Sequence, residues 1–358
     1  MAPISSQRDI APTVLVYGYY GQHNTGDDAF MEVFKWIYRN RPEQLVFCSP
    51  EEAIPALPYE YCILGGGDVL NDYFMEPLIK YLPNIPIYAI GVGMPYANDN
   101  TGFLQLIIAR NHQLFGDLPF QYYPDLAFLL QYVTGLCPMV HLPAFSGGHG
   151  GRGPAIIAPT YQSIKPRGRR MKIGVSLPRS WYNPNYAMDY ANLCRTVGQA
   201  LAMIAILEDA EIHFIAFSYN DAEHDRTLYD DIALHMAMAA DRIVFVDLNP
   251  RDPLHGHRVY ETLEYIGYMD FMICGRFHAH IFSIIHHRAF ISLSCSRKCE
   301  LLMEDLGMPL FRLTTNGEDV PVALDFTFVD RCREAIRVGA VSRAMDDLVP
   351  LDIFQFIN

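Results

Sequence analysis

The order of apolar and polar positions divides the chain into short apolar runs, each followed by a polar or glycine-rich loop and then a helical pattern. Val14–Tyr17 is a β-branched and aromatic run typical of a buried strand. Ala29–Tyr38 then has apolar residues at helical spacing. Further strands are predicted at Gln44–Cys48, Tyr61–Leu64, Ile85–Ile90, Lys172–Leu177, Glu211–Phe217, Arg242–Val246, Asp270–Cys274 and Ala289–Ser294. Strands that alternate with helices predict an α/β fold with parallel sheets covered on both faces.

The alternation of predicted strands and helices is interrupted once, and this interruption divides the chain into domains. Residues 143–170 are rich in glycine, proline and basic side chains and show no periodicity, which is typical of a linker. We therefore predict an N-terminal Rossmann-like domain at 13–142, a linker at 143–170, a second Rossmann-like domain at 171–328 and a tail at 329–358. A chain of 358 residues is long enough for two such domains.

Composition narrows the functional classes. The formal net charge of −13 disfavours nucleic acid and anionic membranes as partners, because both attract basic surfaces. No apolar run approaches the roughly 20 residues of a membrane span, and Met1–Pro12 lacks the apolar core of a signal peptide, so we expect a cytoplasmic protein. The eight cysteines are scattered without a C-x-x-C pair, which favours reduced thiols and predicts no metal site.

The loop after the first strand is the first candidate for a binding site. Gly18, Gly21 and Gly26 punctuate it, but their spacing differs from the G-x-G-x-x-G dinucleotide motif. Asp27 and Asp28 lie where the helix is expected to begin, and their charges would repel a phosphate there. The loop therefore favours a ligand with hydroxyl groups. The alternative is that Asp27 is only the helix N-cap.

Two further glycine clusters follow predicted strands. Gly65, Gly66 and Gly67 precede Asp72, and Gly91 and Gly93 follow the next strand. Each cluster is either a tight turn or a loop lining a cleft, because consecutive glycines allow the backbone to approach a neighbour closely.

The strongest chemical constellation is Gly275-Arg276-Phe277-His278, at the end of a strand and the start of an apolar helix. A guanidinium and the N–H groups of a helix start would together bind an anion, and His278 is suited to acid–base chemistry near neutral pH. In the alternative interpretation, Arg276 caps neighbouring structure and His278 is a hydrogen-bonded structural histidine.

Two other basic residues follow strands of the same domain. Arg179 follows Lys172–Leu177, and Lys298 follows Ala289–Ser294. Together with Arg276 they would form a clamp for a phosphate and a carboxylate. Each could equally be a solvated surface charge.

Taken in order, these motifs resemble those of polysaccharide pyruvyl transferases over roughly Val14 to Met308. The matching motifs are Gly18-Tyr-Tyr-Gly21-x-x-Asn24-x-Gly26-Asp27, the triple glycine with Asp72, Gly91-x-Gly93, Asp125-x-Ala127-Phe128, Gly174-Val-Ser-Leu-x-Arg179 and Arg276-x-His278-Ala279. The resemblance implies two Rossmann-like domains in a GT-B-like arrangement with an interdomain cleft. It also implies transfer of the enolpyruvyl unit of phosphoenolpyruvate onto two sugar hydroxyls as a cyclic ketal.

The resemblance also assigns roles to individual residues. Arg179, Arg276 and Lys298 would hold phosphoenolpyruvate, His278 would be the acid, and Asp27 would be the base or acceptor anchor. It implies a sugar or glycan acceptor, no cofactor beyond the phosphoenolpyruvate substrate, and a tail helix at Arg331–Val338 that packs back on the N-terminal domain.

Two other functions stay open. One is a GT-B glycosyltransferase that uses a nucleotide sugar, with Glu261 or Glu264 on the ribose. The other is a catalytically silent relative that binds glycans.

Overall fold

The computed structural model describes residues 11–92, 125–134, 168–179, 190–220, 224–246, 248, 259–294, 297–305, 310–312 and 326–338. Gly93 and nearly all of the predicted linker lie outside these ranges. By its internal contacts the chain divides into two units, Met1–Tyr20 with Phe30–Leu126, and Gly21–Ala29 with Ala127–Asn358. The short segment 21–29 therefore belongs to the second unit although it lies near the amino end of the chain.

The first unit contains a four-stranded parallel sheet in the order β2-β1-β3-β4. Its buried core includes Leu15, Leu64, Phe74 and Leu78. The strands are β1 (Thr13–Tyr17), β2 (Gln44–Cys48), β3 (Tyr59–Gly67) and β4 (Ile87–Val92), and the helices are α1 (Thr25–Ile37) and α2 (Asp72–Tyr81).

The second unit contains a six-stranded parallel sheet in the order β10-β9-β8-β5-β6-β7. Numbered from its own first strand, this is the Rossmann order 3-2-1-4-5-6. The strands are β5 (Met171–Ser176), β6 (Ala210–Ile215), β7 (Ile243–Val246), β8 (Phe271–Cys274), β9 (Ala289–Ser294) and β10 (Leu310–Arg312). The helices are α3 (Leu130–Thr134), α4 (Tyr190–Leu207), α5 (Asp225–Ala233), α6 (Val259–Gly267), α7 (Phe277–Ile285), α8 (Arg297–Asp305) and α9 (Phe326–Val338).

Helix α4 is a core element of the second unit. In the described part of the chain it is the one helix whose length and composition would allow it to cross a membrane. Leu193, Val197, Leu201 and Ile204 are nevertheless buried in the same cluster as the side chains of β5 and β6. Core helices of globular proteins commonly pass such a test, and the burial of this face explains its apolar composition.

The tail helix contributes to the core of the second unit. Helix α9 begins at Phe326 and packs against α4 and β9, with Phe328, Val329 and Cys332 buried in that core. The expectation that this helix also packs back on the N-terminal domain stays a prediction. Its spacing of apolar positions predicted a helix but could not specify which sheet would receive the apolar face.

The strand orders fix where each sheet offers a ligand-binding position. In an open parallel sheet this position lies at the carboxyl ends of the two strands where the order reverses. In the first unit these strands are β1 and β3, and in the second unit they are β5 and β8. We call these places the first and second switch points.

Candidate active site

The second switch point places two of the predicted arginines on neighbouring strand ends. The backbone N–H groups of Gly275 and Arg276, which follow β8, both donate to the carbonyl oxygen of Ser176 at the end of β5, at 2.7 and 3.1 Å. Arg179 follows β5 by three residues and is half-buried. Helix α7 begins immediately after Arg276.

Arg276 is held by a buried ion pair that was not predicted. Its Nη2 lies 2.5 Å from Oδ1 of Asp225 and its Nε lies 3.2 Å from Oδ2. Arg276 is 7% exposed and Asp225 is fully buried. The predicted alternative, in which Arg276 caps neighbouring structure, therefore applies in part, because this guanidinium binds Asp225 at the start of α5.

Asp225 also accepts hydrogen bonds from the backbone of two other strand ends. The N–H groups of Phe217 and Ser218, just after β6, lie 2.9 and 3.0 Å from its Oδ2. The N–H group of Arg179 lies 3.4 Å from its Oδ1. One carboxylate thus joins the ends of β5, β6 and β8. The sequence has three acidic residues around the start of α5, Asp221, Glu223 and Asp225, and no signal in it singles out Asp225.

The segment 21–29 is hydrogen-bonded to the same residues after β6. The N–H group of Thr25 donates to the Phe217 carbonyl at 2.8 Å, and the N–H group of Tyr219 donates to the His23 carbonyl at 2.9 Å. Asn24 and Ser218 form the antiparallel bridge between them. The second half of the glycine-rich loop is therefore part of the second unit.

Gly26 lies directly against His278. A Cβ atom at Gly26 would be 2.0 Å from the His278 Nδ1 atom and 2.6 Å from its Cγ atom, far closer than any real contact. The missing side chain of Gly26 is thus what leaves room for the imidazole. The structure brings together two motifs that the sequence presented as separate predictions.

The start of α1 corrects the interpretation of Asp27 as a cap. Asn24 is the residue that caps the helix, because its Oδ1 accepts a hydrogen bond from the Gly26 N–H at 3.1 Å. Asp27 is the third residue of α1 and is half-buried. Asp28 is buried, and its Oδ1 accepts a hydrogen bond from the Gly21 N–H at 2.9 Å. Asp27 therefore lies one residue from the glycine that contacts His278.

The electrostatics of the site favour a neutral His278. The pKa of His278 lies well below its usual range because the imidazole is buried, and because the positive charges of Lys298 and Arg276 oppose protonation. The Lys298 Nζ lies 4.1 Å from the ring centre of Phe277, the residue that precedes His278. These basic residues create a local positive field in a chain of net charge −13.

A second histidine on α7 has a structural role. His280 is fully buried, with Nδ1 2.9 Å from the Arg276 carbonyl oxygen and Nε2 2.8 Å from the Ser292 hydroxyl. Burial lowers its pKa to about 4. His280 joins α7 to β9, and it differs from His278 in having no basic side chain among the causes of its shift.

The arrangement is suited to an anionic ligand. The N-cap residue of α7, Arg276, makes no side-chain capping hydrogen bond. The N–H groups of that first turn, Arg276 and Lys298 supply positive charge near one neutral imidazole, and Arg179 follows the neighbouring strand end. Within the described ranges, no three His, Cys, Asp or Glu side chains group as metal ligands would.

The glycines of the first switch point are packed against side chains. Gly65, Gly66 and Gly67 belong to β3 and are buried. A Cβ atom at Gly66 would lie 2.1 Å from the Phe30 ring, and one at Gly65 would lie 2.6 Å from the Phe34 ring. Gly65 and Gly66 therefore let α1 approach the sheet, and the three glycines continue the strand where a tight turn was one of the two predicted alternatives.

The other predicted loop residues in the described ranges have varied surroundings. Gly18 is buried beside the Tyr20 ring, and Gly21 is exposed with a φ of +71°. Gly91 lies within β4 at φ +63°, against Leu126. Asp72 is exposed at the start of α2.

The residues considered for a nucleotide ribose lie elsewhere on the second unit. Glu261 and Glu264 are both exposed on α6, and Glu264 accepts a hydrogen bond from the Tyr268 hydroxyl at 2.9 Å. Neither carboxylate is among the partners of Arg276 or among the charges that shift the pKa of His278.

Comparison with solved structures supports the fold. Staphylococcus aureus MnaA bound to UDP superposes with a TM-score of 0.51 at 9% identity, covering 94% of this chain and 91% of that one. The UDP-GlcNAc 2-epimerase of Neisseria meningitidis bound to UDP-GlcNAc gives a TM-score of 0.53 at 8% identity, covering 93% and 95%. At such low identity the likeness shows the fold alone. The chain has the α/β fold of the GT-B class, as predicted.

Comparison by sequence finds a family model that matches part of the chain. No curated protein matches the chain. Residues 154–297 match the family model of polysaccharide pyruvyl transferase, a family of transferases. The matched segment runs from before β5 to the first residue of α8, and it contains Arg179, Asp225, Arg276 and His278. Residues 154–297 therefore match the family that the ordered motifs resemble, polysaccharide pyruvyl transferase, which confirms the predicted resemblance for this segment.

Proposed function

We propose that this protein transfers the enolpyruvyl unit of phosphoenolpyruvate onto two hydroxyls of a sugar, forming a cyclic ketal and releasing phosphate. The observation that carries the proposal is the coincidence of the family match with the second switch point. Arg179, Arg276 and His278 all lie in the matched segment and at the ends of the two strands where the sheet order reverses. Phosphoenolpyruvate carries a carboxylate and a phosphate, and the site offers basic groups for both.

The reaction begins with transfer of a proton to a carbon atom of phosphoenolpyruvate. Protonation of the methylene carbon gives a methyl group and an electron-poor C2, which the oxygen of a sugar hydroxyl attacks. A second hydroxyl of the same sugar then attacks C2, and the bond from C2 to the phosphate oxygen breaks. Both hydroxyl protons must be removed, and phosphate leaves with the bonding electron pair. The site therefore has to supply an acid near the methylene carbon and a base near the sugar.

His278 is the proposed acid, and its surroundings explain when it becomes one. In the ligand-free protein Lys298, Arg276 and burial keep the pKa of His278 low. The negative charges of bound phosphoenolpyruvate offset the two cations, so the pKa of the imidazole rises toward its usual value. Protonated His278 then exists mainly in the complex with phosphoenolpyruvate. Asp27, on the segment whose Gly26 contacts His278, is the proposed base or acceptor anchor.

Binding of small molecules provides the first test. At 100 times its dissociation constant a ligand adds about 2.7 kcal/mol to the free energy of unfolding, which a melting scan detects. We expect stabilisation by phosphoenolpyruvate and none by UDP-GlcNAc. Stabilisation by UDP-GlcNAc alone would instead support a nucleotide-sugar enzyme. No stabilisation by either ligand would support the silent relative.

Turnover provides the second test. Phosphate release from phosphoenolpyruvate is measured with a panel of hexosides that carry two neighbouring free hydroxyls. His278→Gln should lower kcat by about 100-fold to 10,000-fold, the usual contribution of general acid catalysis, and should leave the binding of phosphoenolpyruvate largely intact. His235 is an exposed histidine of the same unit, and His235→Gln is the matched control that keeps full activity. Equal rates in the two variants would contradict the role of His278.

A further inference from the structure

The carboxylate of Asp225 is extensively hydrogen-bonded at the second switch point. It accepts from three backbone N–H groups and from two nitrogens of Arg276. It is fully buried, where an uncompensated charge would be costly. Backbone donors alone could stabilise it, and so could an arginine alone. Here both kinds of donor converge, and they come from three different strands.

The backbone partners of Asp225 are also the partners of the segment 21–29. Phe217 donates its N–H group to Asp225 and accepts from Thr25 through its carbonyl oxygen. Ser218 donates its N–H group to Asp225 and forms the bridge with Asn24. Asp225 therefore fixes the position of residues 217 and 218, and these two residues in turn fix the position of the segment 21–29.

The segment in turn fixes where His278 can lie. Gly26 comes one residue after Thr25, and the imidazole of His278 occupies the space beside its Cα atom. A shift of Phe217 would move Thr25 and Gly26 with it. Asp225 is thus linked to His278 by two routes, through Arg276 at the start of α7 and through residues 217–218 and Gly26.

We propose that Asp225 is the positioning residue of this site, holding Arg276 and the segment 21–29 in register around His278. It acts through these groups and does not itself touch the substrate. The inference rests on the proposed function for the identity of the ligand, and on the hydrogen bonds alone for the positioning. Because a displacement of about 1 Å at a reacting group can cost on the order of 100-fold in rate, the loss of this carboxylate should be visible in kinetics.

The chain offers a matched control on the same helix. Asp230 lies on α5 and pairs with Arg226 at 2.8 Å, but both side chains are largely exposed. Asp225→Asn and Asp230→Asn therefore make the same chemical change one and a half turns apart. Asp225→Asn should lower kcat/KM for phosphoenolpyruvate by on the order of 100-fold, mainly through KM. Asp230→Asn should change it less than about twofold.

Hydrogen exchange tests the positioning without any ligand. The amides of Thr25 and Tyr219 bond across the junction between the segment and residues 217–219. In Asp225→Asn their protection should fall by about tenfold or more, the equivalent of one hydrogen bond, while Asp230→Asn leaves it unchanged. Where Asp225→Asn does not fold, the neutral pair Asp225→Asn with Arg276→Gln replaces it, since this pair buries no uncompensated charge.

A double-mutant cycle separates positioning from a general loss of stability. If Asp225 acts on the ligand through Arg276, Asp225→Asn should cost much less in KM when Arg276→Lys is already present. Fully additive effects would overturn the proposal, as would unchanged exchange of Thr25 and Tyr219 in Asp225→Asn. A wild-type protein that binds no phosphoenolpyruvate would overturn the proposed function, and the exchange experiment would still decide the role of Asp225.

Discussion

Both switch points lie where the strand order of a parallel sheet reverses, but different kinds of side chain pack against their glycines. At the first, glycines at the end of β3 receive the aromatic rings of Phe30 and Phe34 from α1. At the second, Gly26 receives the imidazole of His278, and Arg276 and Lys298 lie nearby. A glycine with no room for a Cβ atom shows that a side chain approaches the backbone closely. Only the side chain that approaches shows whether the place is a packing contact or a candidate site.

Removing the Arg276 charge from the second switch point should lower the free energy of unfolding more than any other change considered below. Arg276→Met leaves the Asp225 carboxylate buried without its ion-pair partner and should lower the free energy of unfolding of the second unit by about 3–5 kcal/mol. Urea unfolding, followed by hydrogen exchange of peptides from each unit, measures this.

The control for this variant lies on the surface of the same unit. Arg337 pairs with Glu334 on α9 and both are exposed, so Arg337→Met should cost less than about 1 kcal/mol. Equal losses from the two variants would show that the second switch point depends no more on its charges than the surface does.

Low pH should lower the free energy of unfolding of the second unit, by less than Arg276→Met does. The pKa of His280 falls from 6.5 to about 4 on folding, so the unfolded chain binds more protons between these values. The stabilisation is complete above pH 6.5 and is lost as the pH falls toward 4, about 3 kcal/mol in all. The pKa values of His213, His278 and His286 are lowered in the same direction and add to the effect.

The described part of the first unit contains no histidine, so among the described residues this mechanism acts in the second unit. Melting temperature as a function of pH should show a shallower acid limb in His280→Gln than in the wild type. Identical limbs would contradict the low pKa of the buried imidazole.

Replacing Gly66 at the first switch point by alanine should have the smallest of these three effects on the free energy of unfolding. The effect should come from packing alone. Gly66 and Gly21 have φ values of +79° and +71°, so alanine is strained at both. Only at Gly66 does the new methyl meet a ring, whereas no atom lies within 4 Å at Gly21. Gly66→Ala should therefore be less stable than Gly21→Ala by about 1–3 kcal/mol, the usual cost of overpacking. A difference near zero in urea unfolding would show that Phe30 relaxes freely.

The sequence predicts the repeating units of this fold well because each parallel strand is a continuous apolar run. Eight of the nine predicted strands fall within two residues of their observed bounds, and β3 is longer because it continues through Gly65–Gly67. Glycine is a weak strand former, so its local pattern indicates a turn. The pairing with β4 and the rings of α1 override that preference.

The site was predictable in its residue types and unpredictable in its connections. Arg179, Arg276 and His278 follow strands, and strand ends share an edge, which is sufficient to group them. The contact between Gly26 and His278 requires the segment 21–29 to join the other unit, which no local pattern encodes. Asp225 escaped prediction for a similar reason, since an acidic residue at a helix start is ordinarily explained by the helix dipole.

The membership of segment 21–29 in the second unit has a consequence during synthesis. At about 5–20 residues per second, His23 emerges from the ribosome about 10–40 s before Tyr219, its hydrogen-bond partner. The first unit can fold around β1 in that interval, but the segment must wait for residues that are not yet translated. For the same reason no single cut separates the two units, because a fragment that begins after Leu126 lacks the strand partner of Ser218. Supplying residues 21–29 to such a fragment as a separate peptide would be the way to complete it.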